Sequence, residues 1–266
     1  QVPEQPLELY TDSREEGRGR LFVALTGERF DAHDFLDSAV VHRAGALMID
    51  AGKANRIEAG ITVPVLVVPD TLRAYQALAR LHRMRFPGLV VAAVTGSVGK
   101  TSVKEILRSI FTAASSPDEV LFTQGNTNNQ VGVAQNLLRL DQKHRYAVIE
   151  MGTNHHGEIA PLSAMAQPKA ALVNTIAPCH LEHLGDLNGV AREKSRIYSG
   201  LQPGGIAVYP LECPERGILR EGIPADAVQA SFGVAGSGAE VEAEYLAGSM
   251  TGSRFRLIFR AEAQSF

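Results

Sequence analysis

The sequence predicts an α/β protein: a small N-terminal α/β domain, then a phosphate-loop type, mostly parallel sheet covered by helices on both faces. Three observations carry that expectation. Short, nearly unbroken apolar runs alternate with helix-length segments, the pattern of parallel strands buried on both sides. One such run, 89–94, opens directly into the turn Thr95-Gly96-Ser97-Val98-Gly99-Lys100-Thr101-Ser102. Pro87-Gly88 then separates a first α/β stretch from this second rhythm, which places the domains at 1–86 and 87–266.

In the first domain, apolar runs predict strands at 21–25, 46–49 and 65–68, with a helix over 33–44. Leu72, Tyr75, Leu78 and Leu81 fall at helical spacing and predict a helix from 71 to 84. The second domain then reads as strand 89–94, helix 100–113, helix 129–140, strand 146–149, helix 157–166, strand 170–176, helix 190–201 and strand 205–209. On the helix after the glycine turn, Val103, Ile106, Leu107 and Ile110 form the face expected to lie on the sheet. The last thirty or so residues, with Gly233, Gly236, Gly238, Gly248 and Gly252, read as β-rich and loop-rich.

Composition narrows the partners. The 266 residues suit one large or two ordinary domains, and a hydrophobic fraction of 45% supports a real core. No apolar run approaches the roughly 20 residues of a membrane span. A net charge of −3 gives no electrostatic footprint for nucleic acid or anionic lipid. Cys179 and Cys213 are too few for a disulfide framework. With no signal peptide, they point to a cytoplasmic protein, expected to be a monomer. Because it starts at Gln1 without a methionine, the chain is expected to be either a trimmed protein or an ordered portion of one.

The turn after 89–94 is built for phosphate. Backbone N–H groups of residues 96–100 are expected to point at phosphate oxygens, aided by the positive end of the next helix. Lys100 supplies a point charge for the β- and γ-phosphates, and the Thr101 hydroxyl can ligate Mg²⁺. Val94 stands where the general phosphate-loop pattern has glycine, so this is a shorter form of the loop.

Other polar residues fall at the same sheet edge, where open α/β sheets collect ligands. Glu150 ends the strand 146–149, as a metal ligand or a solvated cap. His155 and His156 invite a zinc reading, but no third ligand is spaced for it and a positioning loop fits better. His180 follows strand 170–176, as a ligand or a surface residue. Cys179 beside it has no identifiable base and orienter to make it a nucleophile. Lys194 by pattern is a solvated helical lysine. Asn128 and Asn129 either cap the next helix or face a polar substrate.

Together these segments resemble the Mur ligases, and among them the branch that adds D-alanyl-D-alanine. The resemblance runs from residue 7 to about 210. It is carried by Thr11-Asp12-Ser13-Arg14, the stretch 21–35, the phosphate loop, Gly125-Asn126-Thr127-Asn128-Asn129-Gln130-Val131-Gly132, the stretch 150–159 from Glu150 to Ile159, His180-Leu181-Glu182 and Gly189-Val190-Ala191-Arg192-Glu193-Lys194. Ala32, where the family usually has glycine, and the stretch 183–186 depart from the pattern.

The resemblance implies ATP-dependent amide formation in peptidoglycan synthesis, with D-alanyl-D-alanine joined to UDP-N-acetylmuramoyl-tripeptide through an acyl phosphate. It implies that Thr95, Gly96, Ser97, Val98, Gly99, Lys100, Thr101 and Ser102 bind ATP. Thr101, Glu150, His180 and Lys194 would serve two Mg²⁺ ions, with Lys194 as a carbamate and Lys100, His180 and Lys194 as the catalytic set. Ser13, Arg14 and the loop 27–33 with its Phe30 and Asp31 would hold the UDP moiety, and Asn128 and Asn129 the muramoyl peptide. It also implies that the chain lacks the family's third, amine-binding domain and would be inactive alone. Three alternatives stand beside this reading: the third-amino-acid adding ligase, a folylpolyglutamate-type ligase, and a non-catalytic nucleotide-binding module.

Overall fold

A computed structural model describes residues 8–27, 30–57, 61–249 and 252–260. The chain divides into two compact units, Gln1–Leu78 and Ala79–Phe266.

The first unit is built on four short strands, β1 (Leu9–Tyr10), β2 (Leu21–Val23), β3 (Ala46–Asp50) and β4 (Val65–Val68), all parallel and in that order. Parallel neighbours need crossovers. A 3₁₀ turn, Ala32–Phe35, and helix α1 (Leu36–Val41) join β2 to β3, and a second 3₁₀ turn, Ala51–Arg56, follows β3. Tyr10, Phe22, Leu36, Ala39, Leu47 and Ile49 make the core.

The helix expected over 33–44 is therefore split, and His33 is the reason. Its buried ring donates from Nδ1 to Asp31 Oδ1 (2.7 Å) and accepts the Asp50 N–H at Nε2 (2.9 Å). The first turn is thus tied to the end of β3, in the tighter 3₁₀ form.

Helix α2 (Thr71–Met84) crosses the division between the units. Its last turn carries Arg83, a residue that sequence pattern did not single out. The buried guanidinium donates to the carbonyls of Ala166 (3.0 Å), Phe86 (2.7 Å), Leu89 (3.3 Å) and Gln167 (3.4 Å). This anchorage explains why the second unit begins before Pro87-Gly88. Arg83→Ala leaves buried carbonyls without a donor and opens a cavity, and is expected to cost about 3 kcal/mol of stability. Urea unfolding measures it, and a change under about 1 kcal/mol would make the guanidinium dispensable.

The second unit is an eight-stranded sheet: β5 (Val90–Thr95), β6 (Val120–Phe122), β7 (Tyr146–Glu150), β8 (Ala170–Val173), β9 (Ile206–Pro210), β10 (Val228–Val234), β11 (Val241–Ser249) and β12 (Gly252–Phe259). The order is β12-β11-β10-β9-β8-β5-β7-β6, and every pairing is parallel except the β11–β12 hairpin. Helices α3 (Lys100–Ala114), α4 (Gln130–Leu138), α5 (Ile159–Ala166), α6 (Leu181–Leu184), α7 (Leu187–Ser195) and α8 (Arg216–Glu221) lie between the strands. Residues 91–95 and 147–150 are buried without alternation, as strands covered on both faces must be. The predicted α/β class therefore holds.

Several details differ from the sequence expectation. β6, α6 and α8 were not foreseen; three, four and six residues are too short to show a period. β8 stops at Val173: the Asn174 N–H still donates to Thr95 O (2.8 Å), and the Asn174 side chain braces the loop after β5. The helix expected over 190–201 starts at Leu187, capped by the Asp186 carboxylate on Gly189 N–H (2.7 Å), and ends as a 3₁₀ turn, Arg196–Gly200. On α3, Ile106 and Ile110 are 59% and 54% exposed. Lys104 is turned inward instead, its amine reaching Thr123 O (3.1 Å) while the stem is buried. Phe111 stacks on Tyr146 at 4.7 Å. Among the described residues no helix is long and apolar enough to cross a membrane.

Candidate phosphate and metal site

Strand β5 delivers the loop 95–101 at the carboxyl edge of the sheet, between the ends of β7 and β8. Thr95 is buried and its hydroxyl donates to Met151 O (2.8 Å), fixing the loop's entry. Gly96 (φ 155°) and Gly99 (φ 78°) occupy conformations that favour glycine. Both also pack closely on Asn174. A Cβ on Gly99 would lie 2.6 Å from Asn174 Nδ2, and one on Gly96 3.1 Å from Asn174 Cβ.

Ser97 is the loop's fastening point. Its N–H donates to Thr175 O (2.8 Å), while its hydroxyl donates to Ala177 O (2.8 Å) and accepts the Ala177 N–H (3.0 Å). The Cys179 thiol donates to the same hydroxyl at 3.3 Å. This corrects one expectation: the Ser97 N–H is turned to the segment after β8 and is not offered to phosphate. Val98 is exposed, and Lys100 opens α3 with its amine on Gly96 O (2.9 Å). Thr101 and Ser102 lie exposed in the first turn.

Glu150 ends β7 and is 1% exposed. Its Oε2 accepts from the Thr101 hydroxyl (3.0 Å) and its Oε1 from Asn128 Nδ2 (2.8 Å), while its N–H donates to Thr123 Oγ1 (2.9 Å). Its partners are neutral, and among the described residues no ion pair balances its charge. A buried carboxylate held this way favours a cation. Carboxylate and hydroxyl oxygens are the donors Mg²⁺ prefers, so Thr101 and Glu150 fit it.

Asn129 caps α4, accepting from Gly132 N–H (2.9 Å), and Asn136 holds the loop through Thr127 O (3.1 Å) and Thr127 Oγ1 (2.8 Å). Asn128, expected at the substrate, is seen on the Glu150 carboxylate. The histidine loop after β7 is held by two glutamates. Burial would raise the Glu158 carboxyl, but the N–H groups of Asn154 and His155 and the Thr153 hydroxyl outweigh it and hold it below its usual range. Glu193, buried, accepts from Gly157 N–H (2.7 Å) and Ile159 N–H (2.9 Å). The His155 ring rests on His183, centroids 4.1 Å apart.

Lys194, one residue on from Glu193, is 2% exposed rather than solvated. Burial lowers its amine to about 8; the Lys100 charge adds to this, while Cys179 and Glu193 oppose it. His180 is exposed, with φ 49°, at the start of α6. Among the described residues no hydrogen bond joins it to Glu150 or Lys194, and no three His, Cys, Asp or Glu side chains are grouped to hold an ion. The structure thus brings together Thr101, Glu150 and Asn128, and sets Lys194 near Lys100. His180 makes no hydrogen bond to any of them among the described residues.

The expected UDP residues lie in the first unit. Arg14 is folded back on Asp12, donating from Nε (2.8 Å) and Nη2 (2.6 Å), and the Ser13 carbonyl accepts from His42 Nδ1 (2.9 Å). Phe30 is 75% exposed. Asp31 accepts from Lys53 Nζ (2.6 Å) and Arg56 Nη1 (3.0 Å) as well as His33. Burial opposes ionisation there, but Lys53 and His33 hold the carboxyl well below the carboxylate range. Of the expected loop 27–33, Glu28 and Arg29 lie outside the described residues.

Asn174, Glu193 and Lys53 were missed. Asn174 had one usable signal, a polar residue directly after a strand at the ligand edge; the other two look like ordinary helix and loop charges.

Residues 94–265 match the description of the Mur ligase middle domain. The chain belongs to the Mur ligase family. A relative from Haemophilus influenzae, UDP-N-acetylmuramoyl-tripeptide–D-alanyl-D-alanine ligase, is 44% identical over 252 residues, covering 94% of this chain and 52% of that protein. The crystal structure of MurF from Acinetobacter baumannii superposes with a TM-score of 0.83 at 34% identity, covering 97% of this chain and 56% of that one. MurF ligase from Thermotoga maritima in complex with ADP matches with a TM-score of 0.77 at 28% identity, over 90% of this chain and 53% of that one. This Mur ligase chain therefore spans about half the length of the relatives it matches.

Proposed function

We propose that this chain is part of an ATP-dependent ligase that joins D-alanyl-D-alanine to UDP-N-acetylmuramoyl-tripeptide in peptidoglycan synthesis. The single observation that carries the chemistry is the buried Glu150 carboxylate, bonded to Thr101 beneath a glycine-bracketed phosphate loop. A named relative supports the substrates, and a related ligase bound to ADP supports the nucleotide. In this reading the protein acts in the cytoplasm as a monomer.

The reaction has two steps. A carboxylate oxygen of the tripeptide attacks the γ-phosphorus of ATP; an O–P bond forms and ADP leaves with the bridging oxygen. The D-alanyl-D-alanine nitrogen then attacks the acyl carbon, phosphate departs and the nitrogen loses a proton to solvent. The first step brings two anions together, so it depends on positive charge at the phosphates. Lys100 leaves Gly96 O to meet the β- and γ-phosphates, and the loop N–H groups fix their position. Thr101 and Glu150 would hold Mg²⁺, which supplies charge neutralisation on the transferring phosphoryl group. Asn128 keeps the Glu150 carboxylate aimed. Lys194, as a carbamate, and His180 would hold a second Mg²⁺, while Ser13, Arg14, Phe30 and Asp31 hold the UDP moiety and Asn129 shapes the muramoyl-peptide side.

The test is ADP release by the full-length protein. Release should require both UDP-N-acetylmuramoyl-tripeptide and D-alanyl-D-alanine, with the UDP-dipeptide inactive. Turnover with the dipeptide and a single amino acid would assign it to the third-residue ligase. Nucleotide binding without substrate-dependent release would make it a binding module.

A further inference from the structure

We infer that Asn174 is a positioning residue for the nucleotide: its carboxamide sets the peptide plane between Val98 and Gly99, aiming the Gly99 N–H at phosphate. This rests on reading the loop 95–101 as the phosphate site.

Asn174 Nδ2 lies 2.9 Å from Val98 O, and a carbonyl only accepts, so the nitrogen must face the loop. The same NH₂ group donates to Thr175 Oγ1 at 3.1 Å. Both amide hydrogens are therefore committed, and the side chain is held at both ends of its donor set. Its backbone is pinned as well, since the Asn174 N–H donates to Thr95 O at 2.8 Å, continuing the β5–β8 ladder.

The consequence follows from peptide planarity. In a trans peptide the C=O of one residue and the N–H of the next point in opposite directions. Drawing Val98 O down onto Asn174 turns the Gly99 N–H to the far side of the plane, away from β8. Without that grip, the 98–99 plane can rotate. Its carbonyl would then face the phosphate position, where a partial negative charge repels the ligand. The two glycines fit the same design. Gly99 carries φ 78° and packs so closely on Asn174 Nδ2 that a Cβ would sit 2.6 Å away; Gly96 meets Asn174 Cβ at 3.1 Å. The loop is moulded around this one side chain, and the glycine spacing is what allows it.

The neighbouring contacts share the work. Ser97 ties the loop to Thr175 and Ala177, so the loop is fastened along 174–177 at three points. Of these, only the Asn174 bond acts on the peptide plane that opens α3.

The test compares Asn174→Ala and Asn174→Asp with Lys100→Ala in the full-length protein. The readouts are ADP affinity by calorimetry, affinity for the UDP-substrate, the split between KM for ATP and kcat, and Tm. Asn174→Ala should weaken ADP about tenfold, the scale of one well-placed hydrogen bond lost, and raise KM for ATP more than it lowers kcat. Asn174→Asp keeps the volume but loses the donor and should weaken ADP further. UDP-substrate affinity and Tm should stay near the parent values in both. ADP affinity within about twofold of the parent in Asn174→Ala, with Lys100→Ala weakened, overturns the role of Asn174 alone. If Lys100→Ala also leaves ADP unchanged, the phosphate-site reading itself fails. Unfolding of both Asn174 variants, or equal loss of both ligands, assigns the residue to the fold and also overturns the inference.

Discussion

Lys100→Ala in the full-length protein should reduce acyl-phosphate formation by about a thousandfold or more while changing UDP-substrate affinity by no more than about twofold. The amine sits at the first position of α3, 2.9 Å from Gly96 O, and it is the loop's own cation. The fall should be large because the charge acts on a phosphoryl group in transit, where the approach of the substrate carboxylate raises the local negative charge. The loop N–H groups remain, so residual ADP binding should persist while the chemical step fails. Single-turnover transfer from labelled ATP measures the step; calorimetry with the UDP-substrate measures the control. If both quantities fell together, Lys100 would be supporting the fold rather than the chemistry.

The second large effect concerns Lys194. Its replacement by alanine should lower turnover by about a hundredfold or more, and added formate or acetate should restore part of it. The rescue follows from the proposed carbamate: a neutral amine attacks CO₂, an N–C bond forms, and the proton passes to solvent. The product is an anionic oxygen donor where an ammonium would stand. Burial makes this accessible by lowering the amine to about 8. At pH 7 roughly one amine in ten is then neutral, against a vanishing fraction for an ordinary lysine. The sign is definite. Below pH 8 the neutral fraction falls about tenfold per unit, so parent activity should depend more steeply on bicarbonate as pH drops. Turnover of the alanine variant equal to the parent, or a variant that no short carboxylate rescues, would remove the carbamate from the mechanism.

Much of this site could be read along the chain. The apolar run before Thr95 and the helix after Lys100 are local signals, and both elements lie within one residue of their expected limits. Glu150 stands at a strand end as expected. What could not be read were contacts between distant segments. Ile106 and Ile110 fit a helical period as well as Lys104 and Phe111 do, and only the packing of α3 on β6 and β7 selects the second face. Lys194 looks solvated because its neighbours Arg192 and Arg196 are charged; its burial depends on what α7 packs against. The Asn128 amide could cap a helix or face a substrate, and the position of Glu150 decides that it meets a carboxylate.

The amino-acid order alone determined the alternation of strands and helices and a phosphate-shaped turn between two of them. Both arise from periodicity and backbone preferences acting over a few residues. The tertiary structure alone decided how that turn is aimed and charged. Setting β8 and β7 on either side of β5 brings Asn174, 76 positions away, beneath Val98, and Glu150, 49 positions away, onto Thr101. No local pattern encodes such meetings, because hydrogen bonding and desolvation depend on distances that only the assembled sheet establishes.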